Sequence, residues 1–156
     1  MGNICRSPAA EGIFRHMASQ DSVMKYLHIE SCGIGDWFIG NLPDWRMRKT
    51  AEKRGFILSS HAQQFRQEFF DDFDYILAAD HEVLNILLRE AENPVHKAKL
   101  CLITAYSKAY RNQEIPDPYT QGGEAFERVV DILEDASHGL IEHLKKEMAK
   151  PVIGYE

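Results

Sequence analysis

Short apolar segments of strand length alternate along this chain with stretches whose apolar residues recur at helical spacing. That alternation constrains the fold more than any other property of the sequence. Asp74-Tyr75-Ile76-Leu77-Ala78-Ala79-Asp80 reads as a buried strand, and Val83, Leu84, Ile86, Leu87 and Leu88 give the next stretch, 81–91, one apolar helix face. A further strand is expected over 97–103. An earlier one is expected over Leu27-His28-Ile29-Glu30-Ser31, which alternates and stops at Cys32-Gly33. Helices are predicted over 8–20, where Ser7 can cap and Pro8 can take the first position, and over 44–54. The last, over 123–148, carries Phe126, Val129, Val130, Leu133, Leu140, Ile141 and Leu144 as an amphipathic stripe. Strands alternating with helices build an open, mostly parallel α/β sheet covered on both faces. One member of the pattern is missing. The first helix has no strand ahead of it, so the chain begins inside the turn that in such folds holds a ligand at the helix N-terminus.

Composition narrows the function classes. The 156 residues suit one domain spanning 1–156, with no repeat and no low-complexity linker. The cysteines, Cys5, Cys32 and Cys101, are 3 in number with no CxxC pair, which fits neither a disulfide scaffold nor a zinc module and points to a reducing cytoplasm. No apolar run approaches a membrane span and MGNICRSP is no signal peptide, so no membrane partner is expected. The charge of -6, with basic residues dispersed, argues against a nucleic-acid partner. Arg46, Arg48, Lys49, Lys53 and Arg54 read as the solvated face of a helix, and His138 and His143 as solvated positions on the last one. The histidines show no metal-ligand spacing, and no cofactor or metal is implied.

Chemistry concentrates in two places. Gly2-Asn3-Ile4-Cys5-Arg6-Ser7 feeds a helix N-terminus: its backbone amides can form an anion nest, and Arg6 adds a planar fork suited to phosphate or a similar oxyanion. Far along the chain, Asp117-Pro118-Tyr119 sets a carboxylic acid beside an aromatic ring, where it can donate a proton to a leaving alkoxide or phenoxide.

Together these segments resemble the low-molecular-weight protein tyrosine phosphatases, whose phosphate loop reads C-x-G-N-x-C-R-S-P and whose acid loop reads DPY. The likeness extends to Ser31, Asp36-Trp37, Pro43-Asp44, His61 after Ser59-Ser60, and FDYILAAD at 73–80. It implies a three-layer α/β/α, flavodoxin-like fold with a four-stranded parallel sheet in the order 2-1-3-4. It also implies hydrolysis of phosphotyrosine, in a protein or a small aryl phosphate, through a cysteinyl-phosphate that releases inorganic phosphate. In that scheme Gly2 to Ser7 bind the phosphoryl group and Arg6 stabilises its transition-state charge. Ser7 supports the thiolate, Ser31 and His61 hold Asn3 so that the loop keeps its donor-inward shape, Asp117 is the acid and later the base, and Trp37 and Tyr119 wall the slot for the ring.

The sequence departs from the family pattern at one point. Met1 occupies the x after the family's first cysteine, so the nucleophile is expected immediately before Met1, and strand 1 is absent with it. Cys5 matches the second cysteine, which in the family forms a reversible disulfide with the nucleophile. Residues 1–156 are therefore expected to be an N-terminally truncated phosphatase domain, inactive by themselves, with an internal Met standing in the loop. The alternative is a natural phosphate-binding pseudophosphatase. Arsenate reduction fits less well, because 78–81 lacks the cysteine it needs, and arginine-phosphate hydrolysis less well because Trp37 suits a flat aromatic substrate.

Overall fold

The computed structural model of the chain describes residues 2–150. The first helix, α1 (Arg6–Ser19), starts earlier than its sequence signals suggest. Cys5 occupies the N-cap position without a side-chain cap bond. Ser7, expected as the cap, lies inside the first turn, where its hydroxyl is engaged by Asn3 and Cys32 instead. Pro8 costs nothing there, since the first helical N–H groups have no intrahelical acceptor. Next comes α2 (Trp45–Glu52), capped by Asp44, whose carboxylate accepts from the Arg46 N–H at 2.9 Å. A single turn, α3 (Phe69–Asp72), precedes strand β1 (Ile76–Ala78). Asp80 then caps α4 (His81–Glu90) by accepting from the Val83 N–H at 2.8 Å.

The strand expected over 97–103 is shortened to β2 (Leu100–Leu102) because 94–98 folds as the short helix α5 (Pro94–Ala98). Asn93 accepts from the His96 N–H at 2.8 Å and Pro94 opens the turn, a cap-and-proline pair that claims Lys97 and Ala98 for the helix. The closing helix α6 (Gly123–Met148) has the expected bounds.

β1 and β2 run parallel, Ile76 beside Leu100, Leu77 beside Cys101 and Ala78 beside Leu102. Among the described residues this is a two-stranded sheet, and it does not carry the four-strand order 2-1-3-4. Residues 27–31, expected as a strand, join no ladder. The first regular pairing in that region is a single parallel bridge from Gly33 to Gln64. The physical reason is spatial. A strand exists through its hydrogen-bonded neighbour, and Ile29, Ser31 and Cys32 line a largely apolar cavity of about 160 Å³ with Ile76 and Leu77 instead of pairing with them.

The core is organised by α6. Phe126, Val129, Val130 and Leu133 are fully buried and pack with Ala9 and Ile13 of α1 and with Met47 and Ala51 of α2. Gly139 lets the backbone of a 3₁₀ turn, Ile103–Tyr106, lie directly on this helix, since a Cβ there would sit 1.8 Å from the Tyr106 carbonyl oxygen. His143 is half-buried rather than solvated: its ring stacks on Tyr106 at 3.8 Å and meets the Tyr75 hydroxyl. Of the basic residues on α2 and just after it, Lys49 and Lys53 make no ion pair among the described residues. Arg46 and Arg48 bond Asp44 and the Pro43 carbonyl, and Arg54 is held by Glu127, Asp131 and Glu134.

Candidate active site

The loop ahead of α1 is shaped by Asn3, which adopts φ 62°, a left-handed conformation that Asn tolerates better than most residues. Its side chain is bonded on every side. Nδ2 donates to Ser7 Oγ at 2.7 Å and to Ser31 Oγ at 3.0 Å, while Oδ1 accepts from the Gln63 N–H at 3.0 Å. Ser31 donates both its N–H and its hydroxyl to one oxygen of Glu11, at 2.7 and 2.9 Å, and its carbonyl accepts from Gln63 Nε2 at 2.9 Å. Asn3 and Glu11 are both buried. Three segments of sequence thus converge to hold the loop.

Two expectations change here. His61 does not reach Asn3: its side chain is exposed, and it makes no hydrogen bond among the described residues. Gln63 takes its place, because Ala62 buries toward the 38–41 turn, bonding Asn41 and Gly40, and so turns the next amide onto Asn3. Trp37 is also displaced. It is 69% exposed and its ring lies over Gly35, while Phe38 faces the loop.

Arg6 is buried at the start of α1. Its Nη1 donates to Asp80 Oδ2 at 2.8 Å and to the Ile115 carbonyl at 2.7 Å, and Nε and Nη2 make no hydrogen bond among the described residues. Burial raises the Asp80 carboxyl, but the Val83 N–H and Arg6 outweigh it and the group lies below the usual carboxylate range. The Ile115 contact brings Arg6 to the stem of the 117–119 loop, which is also anchored by the Ile115 N–H donating to the Ala79 carbonyl at 2.9 Å. Asp117 is exposed and accepts from the Tyr119 N–H at 3.1 Å, an Asx turn, with Pro118 buried beneath.

A cavity of about 160 Å³ unites these parts: Gly2 to Ser7 line it with Phe38, Asp117, Tyr119 and Ile76 to Ala79. The Phe38 and Tyr119 rings stand 6.1 Å apart at 55°. Cys5 is buried in the loop, and burial, then the carboxylates of Asp44 and Asp117, push its thiol up to about 12. Burial likewise raises Cys32 to about 12, with Glu30 adding to it, and Cys101 to about 11. No cluster of His, Cys, Asp and Glu with metal-ligand geometry exists among the described residues, and no described helix is long and apolar enough to cross a membrane. The N-terminus of α1, the Arg6 guanidinium, a carboxyl group and two aromatic rings thus share one cavity, a setting suited to an oxyanion.

The model of the low molecular weight phosphotyrosine protein phosphatase family matches residues 1–150. The chain belongs to that family. It is 39% identical over 149 residues to a putative low molecular weight protein-tyrosine-phosphatase of Synechocystis sp., covering 95% of this chain and 94% of that protein. A crystal structure of a protein tyrosine phosphatase from Entamoeba histolytica, with Hepes in its active site, superposes with a TM-score of 0.90 at 34% identity, covering 95% of this chain and 94% of that one. YfkJ from Bacillus subtilis gives a TM-score of 0.85 at 32% identity, covering 94% and 91%.

Sequence reasoning assigned no role to Glu11, Gln63, Asp80 or Phe38. Glu11 had a readable signal: it sits one turn after Ser7 on the helix, a carboxylate with Ser7 and Pro8 before it and Phe14 and Arg15 after it on the same face. The others depend on loop geometry that no local pattern encodes.

Proposed function

We propose that this chain forms the body of a phosphotyrosine phosphatase acting through a cysteinyl-phosphate. The observation that carries the reading is the Asn3-centred loop, whose residues line one cavity together with Asp117 and Tyr119. In this scheme the phosphoryl group of a phosphotyrosyl protein or small aryl phosphate sits on the Gly2–Ser7 amides, with the free nitrogens of Arg6 as its clamp. A thiolate attacks phosphorus, the ester oxygen departs, and Asp117 gives it a proton. Asp117 then takes a proton from water, whose oxygen attacks phosphorus, and thiol and inorganic phosphate are released. Phe38 and Tyr119 flank the ring of the substrate.

None of Cys5, Cys32 and Cys101 suits the attacking role, since burial keeps all three protonated. The attacking thiolate of the scheme is therefore none of these three, and the family's C-x-G-N-x-C-R-S-P pattern has its nucleophile at the first cysteine, not at the position that Cys5 matches. The unpaired cysteines are in keeping with a cytoplasmic setting. Turnover of p-nitrophenyl phosphate and of phosphotyrosyl peptide tests the scheme. Residues 1–156 alone should bind phosphate without turnover, and a form extended by its genomic upstream segment should be active. In that form Asp117→Asn should lower turnover of phosphotyrosine by roughly 10²–10⁴-fold and of activated phenyl esters far less. An inactive extended form would instead favour a phosphate-binding pseudophosphatase.

A further inference from the structure

Arg46 takes no part in the chemistry above, yet its guanidinium is tied on several sides. Nε and Nη2 donate to the two Asp44 carboxylate oxygens at 3.0 and 2.9 Å, and Nη2 also donates to the Tyr119 carbonyl at 2.8 Å. The guanidinium carbon lies 5.6 Å from the Tyr119 ring centre and 4.7 Å from that of Phe126, both within cation–π range. Asp44 in turn donates its backbone N–H to the Ile4 carbonyl at 2.7 Å. A continuous set of contacts thus runs from the phosphate loop through Asp44 and Arg46 to Tyr119, whose own N–H is held by Asp117.

The helix α2 does not require this arrangement. Asp44 alone caps it through the Arg46 N–H, and the reach to Tyr119 serves a different loop. Among the described residues, the Arg46 contact is the one hydrogen bond that another element makes to 116–121, Gly122 being the N-cap of α6 and accepting from Ala125. The remaining bonds of that segment are internal, such as Gln121 N–H to the Pro118 carbonyl at 2.9 Å.

We propose that Arg46 is a positioning residue that fixes the 117–119 loop over the phosphate loop, setting where Asp117 sits and how the Tyr119 ring leans. The value of that position for catalysis rests on the phosphatase reading. The clamp itself does not. Lysine cannot substitute fully, because an ammonium on a flexible stem does not meet a carboxylate with two parallel bonds and a carbonyl at the same time.

Amide hydrogen exchange and NMR of the Tyr119 ring, on the 156-residue protein as it stands, test the clamp. In Arg46→Ala the Tyr119 and Gln121 amides should exchange roughly tenfold or more faster and the Tyr119 ring resonances should move, with the amides of α1, α4 and α6 unchanged. Arg46→Lys should recover part of the ring signature and little of the amide protection. Unchanged exchange at 119–121, or a loss spread evenly over α2 and α6, would show that Arg46 only supports the fold and would overturn the proposal. Inorganic phosphate titrated into the unmutated protein separates the two ideas. Without shifts at the Gly2–Ser7 amides the phosphatase reading fails, while the exchange result still decides the role of Arg46.

Discussion

Asn3 shows what a single side chain can do to a loop. Its left-handed backbone is unfavourable for most residues with a Cβ, and it persists because Ser7, Ser31 and Gln63 all bond the side-chain amide. Glu11, buried behind Ser31, is satisfied by two Ser31 donors and by the Arg15 guanidinium at 3.4 Å. The thiols behave differently. With Cys5 and Cys32 at about 12 and Cys101 at about 11, only a trace of each is thiolate near neutrality. The native protein should therefore react with a disulfide reagent at pH 7.5 over hours rather than seconds, and all three thiols should react at once in urea. A native thiol consumed within seconds would show that burial does not govern these cysteines and would reopen Cys5 as a nucleophile.

Helices in this chain carry their own instructions, and the strands depend on neighbours. The stripe from Phe126 to Leu144 fits one period over its whole length, so the extent of α6 is legible in the sequence. Residues 27–31 alternate as a strand should and yet pair with nothing, because alternation records which side chains face the core and not whether a backbone partner lies alongside. Asp80 links the two kinds of element: it ends the β1 segment, caps α4 and pairs with Arg6. Asp80→Ala should cost about 3 kcal/mol, combining a lost cap with a buried guanidinium stripped of its carboxylate. Asp80→Asn should cost less, since its oxygen can still accept from Val83. Urea unfolding of the two variants measures the difference, and equal losses would assign the whole effect to the Arg6 pair.

Across the whole molecule, depressed carboxylates set the response to acid. Hydrogen bonding to Lys145 leads in lowering Asp21 to about 2. At Asp44, Asp80 and Asp135 burial pushes upward but hydrogen-bond donors win, leaving each below its ordinary value. A carboxyl with a lowered folded pKa stabilises fully above its unfolded pKa of about 3.9, and that stability is lost as pH falls through the folded value. The urea midpoint should accordingly stay flat from pH 7 to about 5 and then fall steadily toward pH 2. A midpoint that rises on acidification below pH 4 would contradict these assignments.

The sequence alone determined the α/β class, the run of the long helices, the loop motif and the place of Asp117, because periodicity, caps and contiguous motifs are properties of neighbours along the chain. The family resemblance, and no local pattern, pointed to Ser31 beside Asn3. The sequence could not decide between His61 and Gln63, or between Trp37 and Phe38. In each pair the residues are one or two positions apart, and the turn of a loop packed against a distant segment chooses which one faces the site. The clamp from Asp44 through Arg46 to Tyr119 is likewise the work of tertiary structure. Tyr119 lies on a different element from Asp44 and Arg46, and tertiary packing, with Phe126 of α6 beside the guanidinium, brings the loop within bonding distance.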